Sequence, residues 1–479
     1  DISIEFKNMY VQESGKFYFI ESGALSIPQN YKTSDANGNC VISGQFFQDY
    51  PKFFQKTEEG GLKVVKGNYS LKQKVRQPQA ATVVMENGTG EIKAMMGGRG
   101  ATGKQLYNRA TSTRQPGSNI KPIGVYGPAL QMSYEYNQDG KKMDLDTSEG
   151  SDWGDYITAG SVINDKAMKY GGKQWPKNWY SGFKGQMTLR KSVEQSVNVN
   201  AVKTYLQIGP DYSASMLKKV GITSLDEEGT VNDMNPAALA LGGMTNGISP
   251  LEMTAAYAVF PNGGIYREPI SYTKIVDANG NILMQKKAKE ERVYDEGVAW
   301  IMTDILRTVV THGLGSAARI SNQPVGGKTG TTSDSYDLWF TGFTPQYTAA
   351  LWQGNDINIQ LSSGSSQSAR FWRAIMSRAC KELPKGTFGE MPENVERRGG
   401  EYFIKGTWSK VTLKKETSET SSSETTMPTE TITMPTVTPT KPKPTEPPTS
   451  PPTTEAPPPT TEAPPPSPPD PGPDPEPEG

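Results

Sequence analysis

Three turn signatures, each set between two apolar runs, restrict the fold of this 479-residue chain more than any other feature. Glu86-Asn87-Gly88-Thr89-Gly90 separates Ala81–Met85 from Glu91–Met96. Asp277-Ala278-Asn279-Gly280 separates Ile270–Val276 from Ile282–Met284, and Thr344-Pro345-Gln346 separates Leu338–Phe343 from Tyr347–Trp352. Short turns of this kind join strands antiparallel, whereas parallel neighbours need a crossover of a dozen or more residues. The expected class is therefore α+β, built on an antiparallel sheet rather than a doubly wound one. Ser249-Pro250-Leu251-Glu252 combines a capping box with Pro at the first helical position and predicts a helix to about Phe260. Val298, Ile301, Met302, Ile305 and Val309 recur at helical spacing before Gly313, predicting a helix with one buried face. Between Tyr126 and Gly247 strand signals are few, which predicts a helical subdomain.

Composition sets the boundaries. Val411 to Gly479 holds 21 of the 37 prolines and no aromatic residue, and its 4 lysines against 11 acidic residues leave it at −7 and the body at +6. Such a stretch, with TTEAPPP twice at 453–466, has too little apolar surface to offset the entropy of ordering. It is expected to be extended, polyproline-like and solvated, a spacer or else a polyproline ligand. The predicted division is a β-rich lead-in over 1–75 with no chemistry assigned, a main domain over 76–385, an extension over 386–415 and a disordered Pro/Thr/Glu-rich tail over 416–479.

One His and two Cys exclude a multi-His or Cys₄ zinc site and a disulfide scaffold, so no metal and no cofactor is expected. The balanced net charge of −1 gives no sign of a nucleic-acid partner. Cys40 and Cys380 lie 340 positions apart and are expected to be buried free thiols. A Ser-His-Asp hydrolase would have to use His312, but an imidazole at the end of a helix is expected to cap carbonyls. No run of 18 apolar residues occurs, so the chain itself is expected to be soluble, whether a mature protein or a piece of a longer one.

Ser118-Asn119-Ile120-Lys121 follows Gln115-Pro116-Gly117. If a helix starts at Ser118, three-residue spacing sets hydroxyl and amine on one face, at the end of the helix dipole that favours negative charge on oxygen. The same S-x-x-K spacing recurs at Ser181, Ser215 and Ser271, but none follows a Pro-Gly turn, and Ser271 begins a predicted strand whose i and i+3 side chains point apart. Ser196-Val197-Asn198 is the only S-x-N, between helix-like Leu189–Gln195 and Val199–Leu206. Lys328-Thr329-Gly330-Thr331 is the only K-T-G, preceded by Val325-Gly326-Gly327. Glycines bordering a strand are expected to let a substrate backbone lie along a sheet edge. The order S-x-x-K, S-x-N, K-T-G is the one described for penicillin-binding proteins and β-lactamases.

The chain resembles the class A penicillin-binding proteins from Gln77 to about Asp356, on Gln77–Gly98, Asn108-Arg109-Ala110-Thr111, RQPGSNIKP, NPAALALGGMTNG at 235–247 and GGKTGTTSDSYDLWFTGFTP at 326–345. The resemblance implies the penicillin-binding transpeptidase and serine β-lactamase-like fold: a five-stranded antiparallel sheet between helices, a mostly helical subdomain beside it and the active site at their junction. It implies that the full-length form is membrane-anchored with a glycosyltransferase domain, which the lead-in would join to the transpeptidase. Pro128 interrupts the helix expected after Ser118, so a kink or early stop is expected.

The resemblance also implies roles. Ser118 is the nucleophile and Lys121 its base, which requires a lysine pKa lowered from about 10.4 to near 7, by burial and by Lys328 as a neighbour that stays protonated. Ser196 relays a proton to the departing amine with Lys328 behind it, and Asn198 bonds the substrate amide and Lys121. Thr329, Gly330, Thr331 and Thr332 border the substrate, with the Thr329 and Thr331 hydroxyls on a terminal carboxylate, and the N–H groups of Ser118 and Thr331 form the oxyanion hole. The partners implied are peptidoglycan stem peptides, a D-Ala-D-Ala donor and an amine acceptor, and β-lactam inhibitors. The implied activity is a cell-wall D,D-transpeptidation, on the outer face of the cytoplasmic membrane; the long outward tail suits reach through a cell wall and points to a Gram-positive bacterium. The alternatives are a serine β-lactamase, with Glu228-Gly229-Thr230-Val231-Asn232 loosely fitting the E-x-x-L-N loop that delivers water, and a non-catalytic β-lactam sensor or wall-binding module.

Overall fold

A computed structural model describes residues 10–411 apart from 14–15, 37, 58–60, 76 and 101–106. The tail over 416–479 lies outside the described residues. Five strands form the central sheet: β1 (Gln79–Glu86), β2 (Ile92–Met96), β3 (Gly326–Thr331), β4 (Asp337–Phe343) and β5 (Tyr347–Gly354). Their order is β3-β4-β5-β1-β2 with every pair antiparallel. The first and third predicted hairpins are both in it, β1 pairing with β5 from Tyr347↔Glu86 to Gly354↔Gln79.

Both faces of the sheet are covered, and the period of two sorts its side chains between them. Ala81, Val83, Trp339, Ala350 and Trp352 enter the main core, while Val84, Phe340, Ala349 and Leu351 enter a second one with Trp372 and Met376. The helices concerned are α1 (Gly127–Gln138), α2 (Leu189–Glu194), α3 (Asn198–Ile208), α4 (Pro210–Lys219), α5 (Pro250–Ala258), α6 (Glu296–Thr311) and α7 (Ser365–Ala379). The α5 capping box is formed, Glu252 N–H donating to Ser249 Oγ at 3.2 Å and Ser249 N–H to Glu252 Oε2 at 2.9 Å. Trp372 of α7 locks to the sheet through Nε1 to the Ala349 carbonyl at 2.9 Å.

Several local expectations change. The second hairpin forms, as Lys274–Val276 with Ile282–Gln285, but as a separate two-stranded ribbon outside the sheet. Ile270 makes only an isolated bridge to Glu91, so Ser271 begins no strand, and Ile275, Val276, Ile282, Leu283 and Met284 are all exposed. The helical subdomain also contains short ladders, Val162–Asp165 with Gly185–Thr188 and Lys169–Tyr170 with Lys173–Gln174. His312 does not cap α6 with its ring, which pairs with Thr311 Oγ1 at 2.9 Å. The Arg319 guanidinium takes the carbonyls instead, Val310 O at 2.9 Å and Thr311 O. Cys380 is buried and free as expected, but Cys40 is exposed.

The helix after Ser118 neither stops nor breaks at Pro128. A π-helical segment, Pro122–Tyr126, precedes α1 and shifts the register, with Gly127 N–H donating to Pro122 O. Pro128 offers no N–H to the Gly124 carbonyl four residues earlier. Ser213 on α4 replaces that donor, its hydroxyl donating to Gly124 O at 2.6 Å in a buried setting. Ser213→Ala would leave this carbonyl without that donor and is expected to destabilise the fold by about 1–3 kcal/mol in denaturant unfolding; an unchanged midpoint would show that the hydroxyl is dispensable there.

Lead-in strands Tyr10–Glu13, Lys16–Leu25 and Tyr69–Val75 form a three-stranded sheet. Ile27, Phe46 and Phe53 form a separate small core. Among the described residues no helix is long and apolar enough to cross a membrane.

Candidate active site

Backbone contacts fix the Ser118 turn. Gly117 adopts φ +53°, a conformation glycine takes without penalty, and Gly117–Asn119 forms a 3₁₀ turn that runs into Ile120-Lys121. The helical segment thus begins at Gly117 with a 3₁₀ turn, keeping Ser118 at its mouth and Lys121 one turn inside. The turn is tied at both ends: Trp339 Nε1 donates to Gln115 O at 2.9 Å, and the Tyr257 hydroxyl to Asn119 O at 2.7 Å. Asn119 Nδ2 also reaches Thr341 Oγ1 on β4 at 3.0 Å.

The glycines around the K-T-G strand serve this packing. A Cβ on Gly330 would lie 2.4 Å from Pro116 O, and one on Gly117 2.5 Å from Thr331 O. Cβ atoms on Gly326 and Gly327 would strike the rings of Phe343 and Phe340. The approach they permit is between parts of this chain, where the sequence suggested an approach by substrate.

β3 is the edge strand. Thr332 N–H donates inward to Asp337 O at 3.1 Å. By the alternation of an antiparallel ladder, the main-chain groups of Thr331 and Thr329 therefore face the free edge. Asp337, buried, sets this end of the strand: its carboxylate accepts from Arg114 Nε at 2.7 Å, Trp352 Nε1 at 2.8 Å and Thr332 Oγ1 at 3.2 Å.

Behind the strand, two lysines are wholly buried around Ser196. Ser196 has φ +55°, an uncommon conformation for serine, and lies between α2 and α3. Lys121 Nζ donates to Ser196 O at 2.8 Å and to Asn198 Oδ1 at 2.7 Å, with Ser196 Oγ at 3.4 Å. Lys328 Nζ donates to Ser196 Oγ at 2.8 Å and to Thr329 O at 3.1 Å. Burial first, and the neighbouring Lys328 second, hold the Lys121 pKa well below the usual lysine range. Burial also lowers the Lys328 pKa to about 7.

An uncharged lysine has two N–H donors and one lone pair. The two short bonds of Lys121 go to two carbonyl acceptors, which accounts for both N–H groups and leaves Ser196 Oγ, at 3.4 Å, on the lone-pair side. Lys121 makes no hydrogen bond to Ser118 Oγ; the two are linked by the helical turn, not by a contact.

Ser118, Ser196, Asn198, Thr329, Thr331 and Thr332 line one groove of about 820 Å³, together with Trp175, Lys177, Asn178 and Trp179. Gly330 lies in the ladder against Pro116 rather than in the lining. Of the other S-x-x-K serines, Ser215 is inside α4 with its hydroxyl on Tyr212 O at 2.8 Å, and neither Ser181 nor Ser271 lines the groove. Glu228 is exposed and outside the lining, so it is not in place to deliver water to Ser118. Sequence reasoning missed Asn178 and Gly242. Asn178 Oδ1 accepts from the N–H groups of Asn198 at 2.9 Å and Val199 at 3.3 Å, and the only signal was an Asn in a loop. Gly242, at φ +79°, touches Gly117; it was visible only within the longer run at 235–247.

Residues 154–377 match the family described as the penicillin-binding protein transpeptidase domain. Penicillin-binding protein 1A of Clostridium acetobutylicum is 36% identical over 370 residues, 76% of this chain and 43% of the relative. Penicillin-binding protein 1F of Bacillus subtilis is 33% identical over 352 residues, 72% of this chain and 44% of the relative. The chain thus spans under half the length of these relatives. In fold it is similar to penicillin-binding protein 1A from Haemophilus influenzae, with a TM-score of 0.58 at 23% identity over 83% of this chain and 64% of that one. It is likewise similar to PonA1 from Mycobacterium tuberculosis in complex with penicillin V, with a TM-score of 0.55 at 21% identity over 68% of this chain and 83% of that one. Matches at 33–36% identity along about three quarters of the chain, together with the family match over residues 154–377, settle what this chain carries: a penicillin-binding protein transpeptidase domain.

Proposed function

We propose that this chain is the transpeptidase part of a longer, membrane-anchored enzyme with a glycosyltransferase domain, acting outside the cytoplasm at the wall of a Gram-positive bacterium. In this reading 76–385 is the catalytic domain, 1–75 the joining segment, 386–415 an extension and 416–479 a spacer. The substrates are peptidoglycan stems, one ending in D-Ala-D-Ala and one offering an amine.

Ser118 Oγ attacks the carbonyl carbon of the penultimate D-Ala while Lys121 takes its proton. The N–H groups of Ser118 and Thr331 hold the developing oxyanion, each worth about 3–4 kcal/mol. The C–N bond breaks, the departing D-Ala amine receives a proton through Ser196 with Lys328 behind it, and an ester remains on Ser118. The acceptor amine then attacks that ester, forming the cross-link and restoring the hydroxyl. Thr329 and Thr331 hydroxyls hold the terminal carboxylate, and Asn198 binds the substrate amide. A β-lactam acylates the same serine.

The observation that supports this most is the arrangement of Lys121: buried, with both short bonds on carbonyls, one turn from a serine in the groove. Peptide mapping by mass spectrometry after penicillin treatment tests it. The expected result is one adduct, on Ser118; an adduct on Ser181 or Ser215 instead, or none, would overturn the assignment.

A further inference from the structure

Asn198 presents Oδ1 to Lys121 only because its amide is held the right way round. Its Nδ2 donates to Lys177 O at 2.8 Å, and its own N–H is held by Asn178 Oδ1 at 2.9 Å. Asn178 is in turn oriented by Asp165, a fully buried carboxylate at the end of the Val162–Asp165 strand. Asp165 Oδ1 accepts from Asn178 Nδ2 at 2.8 Å, and Oδ2 accepts from the Tyr180 hydroxyl at 2.6 Å and from Lys184 N–H at 2.8 Å.

We propose that Asp165 and Asn178 are positioning residues for the acylation step: Asp165 sets which way round Asn178 stands, Asn178 Oδ1 holds the first turn of α3 by the Asn198 and Val199 N–H groups, and the place of that turn sets Asn198 Oδ1 on Lys121. This rests on Lys121 being the base of the preceding section. Asp165 does not line the groove, so it acts on substrate only through these contacts.

The polarity argument is specific. All three groups facing Asp165 donate to it, and the Lys184 N–H cannot reverse its role. An asparagine in place of Asp165 must keep its oxygen on Lys184 and turn its NH₂ toward Asn178. Asn178 then has to flip, which sets its own NH₂ against the N–H groups of Asn198 and Val199. The first turn of α3 loses its acceptor, and Asn198 shifts with that turn, away from its place on Lys121. An aspartate put in place of Asn178 at the same time repairs every link: one oxygen accepts from the newly introduced amide, and the other accepts from the α3 N–H groups at a position where an acidic cap is favoured.

The test measures acylation of the whole chain by a fluorescent penicillin, separating the rate constant at saturation from the half-saturating concentration. Asp165→Asn and Asn178→Asp alone are each expected to lower the saturating rate constant by about 10- to 100-fold, the scale of a misplaced catalytic group, with the half-saturating concentration little changed. The double variant D165N/N178D is expected to recover most of the rate, which a role confined to stability would not produce if melting temperatures of the three are alike. Should Asp165→Asn fail to fold, Asn178→Ala, which buries no charge, is expected to show the same selective loss. Wild-type rates in either Asp165→Asn or Asn178→Ala, or a double variant no faster than the slower single one, would overturn the proposal. If wild-type protein acquires no adduct at Ser118, the functional reading has failed; if it does and the single variants match it, only the positioning role has.

Discussion

Lys121→Met is expected to give a folded protein that penicillin acylates about 10²–10⁴-fold more slowly than wild type, the contribution of a positioned general base. Methionine keeps an unbranched stem of similar bulk in the buried channel, so packing is disturbed little. What disappears is the amine proposed to accept the Ser118 proton. The pH dependence supplies a second arm. Lysine acts as a base only after losing its proton, so acylation by wild type should rise with pH through the lowered Lys121 pKa, well below the ordinary lysine range. Lys328, drawn down to about 7, adds a falling limb where its own proton is needed. In Lys121→Met the rising limb should vanish. A variant that still labels at the wild-type rate, with the rise intact, would transfer the role of base to another group. Stability follows the same shifts. Both lysines hold protons less firmly folded than unfolded, so the unfolded chain binds more protons between their lowered folded values, about 7 for Lys328, and the usual lysine range, and these two groups make the fold gain stability as pH rises across that window.

The three motif segments were legible because each is a contiguous run whose spacing has a local meaning. S-x-x-K is one helical turn, S-x-N is a break between helices α2 and α3, and K-T-G is a strand set off by glycines. The hairpins at Gly88 and Pro345 and the α5 capping box were legible for the same reason, since turn and cap chemistry act over a few residues. What no local signal carried was the joining of β1 to β5, some 260 residues later, which closes the sheet. The ribbon at Ile275 and Ile282 misled because apolar residues mark a strand but not what covers it, and here nothing among the described residues does. The glycines beside Lys328 were read as room for a ligand, when that room is taken by Phe340 and Phe343 on the neighbouring strand β4 and by Pro116 O from far earlier in the chain. Asp165, Asn178 and Gly242 were illegible for a related reason. Each acts through contacts to backbone or to polar groups elsewhere in the chain, and neither composition nor periodicity encodes those.

Gly242→Ala isolates such a contact. A Cβ there would lie 2.2 Å from Gly117 O and 2.5 Å from Gly117 N, both main-chain atoms with no rotamer to move away. Gly117 has no room to retreat, because its own Cα already faces Thr331 O on the edge strand. The new methyl must therefore either push residues 240–243 out of place or lift the Ser118 turn from β3, separating the Ser118 N–H from that of Thr331. A displacement of about 1 Å at the reacting group is expected to slow penicillin labelling by about 100-fold. The left-handed backbone at φ +79° adds a further loss of about 1–2 kcal/mol in stability. Gly229→Ala separates the two effects. Gly229 has φ +80° but open space around it, so that variant should show the backbone strain in its melting temperature and label at the wild-type rate. Equal labelling by both variants would mean that the stacked backbones of Gly242, Gly117 and Thr331 do not hold the nucleophile. Slow labelling by Gly242→Ala alone would make a glycine with no chemistry of its own one of the residues that the acylation of Ser118 depends on.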